Sequence, residues 1–486
     1  MHHESLVAHL EAIVGKDSVF SRPADLLVYE YDGSVDGAVE TAAPAAVALP
    51  TTPRQIADIV ILAGKAGLPV VARGAGTGLS GGAVPQQGGI IVSLTRMNRV
   101  LEIDREDRTA LVEPGVINLE LSEETIPHGF FFAPDPSSQK ACTIGGNVAE
   151  NSGGPHCLKY GVTTNHILGL EVVLPDGRIV WTGGSAPGIS GYDLTGAMVG
   201  SEGMLGIVTK ALVRLTPKPA ATLVQLAAFA DIESASQATS RIIGAGILPA
   251  ALEMMDNLTI QAVEPAYHAG YPMDAGAVLL IEIDGIADDV RGTGEEIAAI
   301  CTESGATEVR SATEKAERDL LWKGRKMALG AMGRLAPNYY LHDTVVPRSK
   351  LPATLRRVDE VSREFKLPIA NVFHAGDGNL HPLMLFDRRV SGATERVLEA
   401  SREIITYCVE VGGALSGEHG IGTEKRGYMT LVYTADDLAA MAGLKNSFDP
   451  SGLFNPEKLF PKGYMCGEVR ALRMQAMAQK LGIHAL

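Results

Sequence analysis

Thr143-Ile-Gly-Gly-Asn-Val-Ala-Glu-Asn-Ser-Gly-Gly154 is the second of two glycine-rich loops in this chain. The first, Arg73-Gly-Ala-Gly-Thr-Gly-Leu-Ser-Gly-Gly82, follows a short apolar strand, Pro69-Val-Val-Ala72. Its glycines let backbone N–H groups crowd around an anion and form a nest suited to a pyrophosphate. The same Gly-x-Gly pattern also occurs in ordinary turns. As a Rossmann fingerprint it is poor, because no acidic ribose ligand stands at a strand end about twenty residues on. A Walker lysine is missing too, so an NAD or ATP site is disfavoured. Downstream come His374-Ala-Gly-Asp-Gly-Asn-Leu-His381 and Ser416-Gly-Glu-His-Gly420. Two histidines and a carboxylate suit a zinc-like ion, and a further histidine beside them suits proton transfer. Phosphate-binding loops followed by a metal set point to an oxidoreductase with a nucleotide cofactor and a metal-held substrate.

The composition narrows the field. A chain of 486 residues is long enough for two cores. Its 46% hydrophobic and 20% charged residues are those of an ordinary globular protein. A formal net charge of −15 argues against nucleic acid, whose phosphates need basic surface. The five cysteines (Cys142, Cys157, Cys301, Cys408, Cys466) are odd in number and scattered, with no C-x-x-C. That disfavours a disulfide framework, an iron–sulfur cluster and a thiolate zinc site, and fits reduced thiols in the cytoplasm. No signal peptide and no membrane-spanning run is visible, so membrane association is expected only through partner subunits.

Helical spacing of Leu6, Leu10 and Ile13 predicts a helical lead-in over residues 1–40. A strand is expected at 46–50, then a helix capped by Thr52 with Pro53 at its first position, ending near Gly67. Further strands are expected at 89–94, 109–113, 168–174 and 207–215, with Pro175-Asp-Gly-Arg178 as a hairpin turn. The crossing into a second domain falls at 218–222. Beyond it the pattern predicts helices at 234–245, 253–262, 287–304 and 313–334, and strands at 277–284, 369–373 and 383–385. The expected domains are therefore 1–220, 221–425 and a C-terminal helical segment, 426–486, packing back on the first.

With Pro134-Asp-Pro-Ser-Ser-Gln139, Tyr160-Gly161 and Gly200-Ser-Glu-Gly-Met-Leu-Gly-Ile207 added to the two loops, the chain resembles the vanillyl-alcohol oxidase/p-cresol methylhydroxylase superfamily of FAD-dependent oxidases and dehydrogenases. The resemblance runs over residues 46–461. Within that superfamily it is similar to the FAD-linked D-2-hydroxyacid dehydrogenases, and among these to the flavin-bearing subunits of glycolate oxidases. Residues 73–85, 133–161, 252–257, 371–382 and 416–422 carry the likeness. It implies an α+β, two-domain FAD-binding fold with an α/β substrate (cap) domain and a C-terminal helical segment. Arg73, Gly74, Ala75, Gly76, Thr77, Gly78, Leu79 and Ser80 would wrap the FAD pyrophosphate. Asp135, Ser138, Thr143, Gly145, Gly146 and Asn147 would line the flavin and ribityl chain, with Pro134, Gly153 and Gly206 in the same cofactor-binding set. Glu202 and Ile207 would hold the adenine end, and Asn455 would bring the C-terminal segment back onto the flavin. Thr77 stands about where some relatives carry a flavin-linking histidine, so noncovalent FAD is expected.

Gly376-Asp-Gly378 is a turn signal between His374 and His381; a reversal there would set the two rings across neighbouring strands, about 5 Å apart at Cβ. A lone histidine in such a place is more often structural. The resemblance assigns His374, His381 and Glu418 as ligands of a divalent metal and His419 as the catalytic base. Adjacent Glu418 and His419 need irregular backbone to face one site, which Gly417 and Gly420 permit. The donor set suits zinc, with manganese or iron as alternatives. His342 and His166 read as structural. Arg325 reads equally as a solvated helix arginine; the resemblance makes it the clamp on the substrate carboxylate. Leu329, one helical turn on, suggests a substrate without a second carboxylate.

The reaction the resemblance implies is oxidation of a small 2-hydroxy acid, glycolate or D-lactate, to the 2-oxo acid, with hydride passing to the flavin. A D-2-hydroxyglutarate-type dehydrogenase with a diffusible acceptor is the alternative. Electrons would go to additional redox subunits, a second flavin-type and an iron–sulfur subunit, or to another acceptor; a homo-oligomer is also open. Two readings of other classes compete: a zinc hydrolase, which lacks its usual H-E-x-x-H helix and leaves the glycine loops unexplained, and a non-catalytic redox scaffold.

Overall fold

Thr52 and Pro53 start a helix as the sequence predicts. Pro53–Ala66 is helical, the Thr52 hydroxyl accepts from Gln55 N at 3.3 Å, and Gly67 ends the helix at φ 65°. Ile56, Ile59, Val60 and Ala63 are fully buried on one face. Each larger side chain contributes about 1.5–3 kcal/mol by leaving water. The structure is a computed structural model and describes residues 3–34, 42–85, 88–186, 188 and 190–462.

That helix leads into strand Val70–Arg73, which pairs in parallel with Ile90–Ser93 in a four-stranded sheet completed by Ala46–Ala48 and Val19–Phe20. Both faces of the central strands are buried, as parallel pairing requires. A five-stranded antiparallel sheet follows, ordered Val100–Asp104, Thr109–Val112, Ile207–Arg214, Ile167–Val173, Ile179–Gly183. Its last pair is the hairpin expected at Pro175-Asp-Gly-Arg178, with Gly177 at φ 80°.

The second half is built on one large sheet. Its path runs Ala306–Ala312, Ala221–Phe229, Ala277–Gly285, Ala251–Asp256, Ile369–His374, Asn379–Leu380 and Thr344–Val345, and Pro382–Phe386 joins Ile369–His374 to Asn338–Leu341. Helices Ile232–Gly244, Ala287–Glu303, Leu351–Phe365 and Ala393–Glu410 close one core on it. Asn257–Tyr267 and Lys315–Lys326 close another on the opposite face. The architecture is α+β, as expected.

Several local expectations change. The helix predicted over 253–262 is instead strand Ala251–Asp256 followed by helix Asn257–Tyr267, with the Asp256 carboxylate accepting from Thr259 N at 2.9 Å. Leu252 and Met254 face one core, Ala251 and Met255 the other. A strand buried on both faces shows no polar alternation, and Leu, Glu and Met are good helix formers. The long helix expected over 313–334 is shorter: Lys315–Lys326 ends at Met327, and Ala328–Ala331 is a separate turn. No glycine or proline marks that break. The lead-in is not one helix: helix His3–Val14 is followed by strand Val19–Phe20 and a short helix, Pro23–Leu26; its end, and the end of the predicted C-terminal helical segment from residue 463, lie outside the described residues. Strands Val100–Asp104 and Ala306–Ala312 were not expected; both lie at sheet edges, with residues mostly half-buried or exposed.

Candidate active site

The two glycine loops form one wall of a cavity of about 370 Å³, and residues of the large sheet close the other. The loops touch directly. A Cβ on Gly74 would stand 2.3 Å from Thr143 Oγ1, and one on Gly145 would stand 2.7 Å from Pro114 Cβ. Thr143 caps the helix Ile144–Glu150, its hydroxyl accepting from Gly146 N at 3.2 Å. Bare backbone over residues 74–78 therefore faces the cavity, an arrangement that fits an extended phosphate-bearing cofactor.

Across the cavity lie Arg325, Leu329, Leu341, Val372, His381, Glu418 and His419. His374 pairs with Asn379 across the sheet and Asn371 with Pro382, so His381 sits diagonally from His374, not opposite it. The two rings meet edge to face at 5.1 Å between centroids. Glu418 Oε1 lies 3.2 Å from His374 Nε2 and 3.4 Å from His381 Nε2. One donor atom from each of these three residues falls within 4.8 Å of the others. Glu253 lies 2.7 Å from His374 Nδ1, which turns Nε2 toward the centre. His381 Nε2 is buried with no hydrogen-bond partner. Two imidazole nitrogens and a carboxylate so presented fit a divalent ion with open positions.

Glu418 and His419 both reach the centre because the loop carrying them winds around one buried carboxylate. Asp343 accepts from Ser416 Oγ at 2.6 Å, from the backbone N of Gly417 and His419 at 3.0 Å each, and from Lys425 Nζ at 3.1 Å. Gly420 follows at φ 85°. The His419 ring stacks on His381 at 5.0 Å. Among the described residues Asp343, His381 and His419 are a second group with donor atoms within 4.8 Å.

Electrostatics separates the roles. Burial opposes ionisation of Glu418, but His374, His381 and His419 outweigh it and hold the carboxyl at about 2. Burial also disfavours a charged His374, yet Glu253 and Glu418 raise it well above its ordinary value. His419 goes the other way: burial lowers it to about 4, only partly offset by Asp343. A neutral imidazole is thus available there to take a proton. Arg325 is 4% exposed, and its guanidinium is gripped by Glu253 at 2.5 and 2.7 Å.

Comparison with known proteins assigns this architecture. Residues 44–183 match the family model for the FAD binding domain, and residues 218–459 that for the C-terminal domain of FAD linked oxidases. The glycolate oxidase subunit GlcD of Escherichia coli is 45% identical over 469 residues, covering 96% of this chain and 93% of that protein. The chain belongs to the FAD-linked oxidases. GlcD of Bacillus subtilis is 42% identical, covering 93% of this chain and 95% of its own length. The D-lactate dehydrogenase of Archaeoglobus fulgidus is 34% identical, covering 86% and 91%. A crystal structure of p-cresol methylhydroxylase superposes with a TM-score of 0.79 at 18% identity, covering 94% of this chain and 96% of that one. The fold is therefore that of the vanillyl-alcohol oxidase/p-cresol methylhydroxylase superfamily, and the protein is an FAD-linked oxidoreductase.

In this FAD-linked oxidase the cavity wall includes Arg73, Gly74, Ala75, Gly76, Thr77, Gly78, Leu79, Ser138, Thr143, Gly145, Gly146, Asn147 and Glu202 of the cofactor set, and Arg325, His381, Glu418 and His419 of the chemical set. Arg73, on the wall, spends its guanidinium on Ala83 O and Val28 O, at 3.3 and 3.4 Å, bracing its own loop. Others stand behind the wall. Ser80 turns its carbonyl to the amides of Thr423 and Glu424. The Pro134 carbonyl accepts from Asn118 Nδ2, and Asp135 pairs with His156 at 2.8 Å. Gly153 lies against Glu418, and Gly206 against Val172. Ile207, expected at the adenine end, is 1% exposed within the core under the helix Pro53–Ala66, because its strand alternation points it inward. Glu202 is on the wall, but its carboxylate accepts from Ile421 N and Gly422 N at 2.7 and 2.8 Å, tying down the loop after His419. Asn455 donates to Gly82 O and Glu202 O at 2.9 and 2.6 Å.

Sequence reading missed Glu253, Asp343 and Lys425. Glu253 had a signal, a single carboxylate inside the apolar run Ala251-Leu-Glu-Met-Met255, obscured by the helical reading of that segment. His342, read as structural, is fully buried and its two ring nitrogens have no hydrogen-bond partner; burial, then Lys425, lowers it to about 3. Cys142, Cys157, Cys301 and Cys408 are free thiols. Among the described residues no helix is long and apolar enough to cross a membrane.

Proposed function

We propose that this protein oxidises a small 2-hydroxy acid, glycolate or D-lactate, to the corresponding 2-oxo acid. One observation carries the reading: the cluster of His381, Glu418 and His419 and the arginine Arg325 open into the same cavity as the two glycine loops. The names of the relatives, glycolate oxidase subunit and D-lactate dehydrogenase, support it.

FAD, when bound along the loops, supplies the two-electron acceptor. His374, His381 and Glu418 would hold a divalent ion, which would supply positive charge beside the substrate hydroxyl; zinc suits the donor set best, then manganese or iron. The residues do the rest. Arg325, steadied by Glu253, turns its remaining N–H groups to the substrate carboxylate and orients C2. His419 accepts the hydroxyl proton. Leu329, Leu341 and Val372 make the wall apolar around a short acid and exclude water. Thr77 in the first loop offers no ring nitrogen for a flavin linkage, so FAD is held noncovalently. Electrons leave to partner redox subunits, one of them iron–sulfur, which would also bring the protein to a membrane. A diffusible acceptor is the other route. The chain divides at about residues 220 and 425, the last part packing back through Asn455.

A second reading has its own observation. Lys326 also lines the cavity, and would suit the second carboxylate of 2-hydroxyglutarate. Anaerobic titration of the metal-replete flavoprotein with glycolate, D-lactate and D-2-hydroxyglutarate decides between them. Bleaching of the flavin band by one of the first two is expected. Bleaching by the diacid alone would replace the monoacid reading, and a colourless protein that takes up no FAD would end both.

A further inference from the structure

Behind the metal-ligand cluster, outside the front cavity, lie two adjoining hollows, the inner one against the end of the second glycine loop at Gly153 and Gly154. The inner one, about 130 Å³, is walled by His374, Glu418, Asn379, Asp377 and Gly153. The outer cleft, about 580 Å³, shares Cys157, Val345 and Asp377 with it and opens beside Arg348 and Ala414. Glu418 is the partition, lining both the front cavity and the inner hollow. Its Oε1 faces the histidines at 3.2 and 3.4 Å, while Oε2 faces backward, 2.8 Å from where a Cβ on Gly153 would stand. Any side chain at 153 would fill this space.

The passage carries donors for a cation. Asn379 is 5% exposed, lines the inner hollow, and its Oδ1 has no hydrogen-bond partner. Asp377 stands two residues away, one of its oxygens accepting from Asn379 N at 3.0 Å. An amide oxygen and carboxylates suit a divalent ion that has shed part of its water. Burial, and then the charges of Glu418, Asp135, Asp377 and Glu253, push the Cys157 thiol up, so it stays protonated.

We propose that this rear passage is the route by which the divalent ion enters and leaves the His374, His381 and Glu418 site, moving past Asp377 and Asn379 without displacing FAD or substrate from the front cavity. The inference rests on the metal reading above. With cofactor in the front cavity, an ion arriving from solvent has the rear hollow as its open approach to the back of Glu418.

The test is zinc uptake by the metal-stripped, FAD-bound protein, followed in stopped flow as loss of free Zn²⁺ from a zinc-responsive dye. Ala414→Phe narrows the outer cleft from its exposed rim, and Val345→Phe narrows the neck common to both hollows; retained flavin shows that each variant is folded. Uptake at least tenfold slower than wild type, reaching the same final zinc content, is expected in both. Two variants on different elements keep the test decisive if one loses its flavin. Wild-type uptake rates in the narrowed proteins, with full final zinc content, overturn the rear route and leave the metal site standing. Absence of zinc uptake by the wild-type protein at any time overturns the metal reading itself.

Discussion

Glu253 joins the metal side of the site to the substrate side. It is fully buried, accepts from His374 Nδ1, and grips Arg325 through two nitrogens. Glu253→Gln removes the charge that fixes both partners while keeping the side chain's shape. We expect a 10- to 100-fold loss of metal affinity together with a raised KM for the hydroxy acid, measured by metal titration and steady-state kinetics. Unchanged metal affinity would show that His374 needs no such support. His419→Ala is expected to keep its flavin spectrum and metal content while turnover falls roughly 10²- to 10⁴-fold. Normal turnover in that variant would remove His419 as the base. Both histidine motifs were legible in sequence because a glycine turn spaced them. Asp343 was not: its function comes from accepting Ser416, Gly417, His419 and Lys425 around one carboxylate, contacts over 73 residues or more of chain that no local pattern encodes.

The strand Ala251–Asp256 shows how an element that matters most is hardest to read. It lies between Ala277–Gly285 and Ile369–His374, buried on both faces, so it has the composition of a helix and no alternation to betray it. The glycine loops are the opposite case, because their purpose is written in the residue type itself. Gly74 has no room for a side chain against Thr143 Oγ1. Gly74→Ala should push the two loops apart, costing about 1–3 kcal/mol of stability and weakening FAD binding. Thermal melts with and without added FAD, and flavin released on gel filtration, check this. A variant that melts like wild type and keeps its flavin would mean the loops yield without cost.

The two halves of the molecule meet through a chain of side chains that starts at Asp135, ahead of the second cofactor loop, and ends at the clamp helix. Asp135 pairs with His156 Nδ1 at 2.8 Å, His156 Nε2 lies 3.2 Å from Glu282, and Glu282 accepts from Trp322 Nε1 at 2.5 Å, one turn before Arg325. Beside it Lys159 and Tyr160 both bond Asp284. Burial opposes a charge on His156, but Asp135 and Glu282 together raise it well above the ordinary range, so it is an imidazolium between two carboxylates. None of this bridge was legible in the sequence, because its members read singly as loop, strand and helix residues. His156→Phe keeps an aromatic ring against Trp322 and removes the positive charge between the two carboxylates. Breaking such a buried pair costs on the order of 3–5 kcal/mol, and this one, partly open to solvent, falls at the lower end. Calorimetry should therefore show a lower and broader unfolding transition as the halves uncouple. KM for the hydroxy acid should rise more than kcat falls, because the bridge holds Arg325 relative to the cofactor loop and takes no part in proton transfer. A variant with the wild-type transition and KM would mean that the large sheet alone fixes the clamp helix, with the two halves energetically independent.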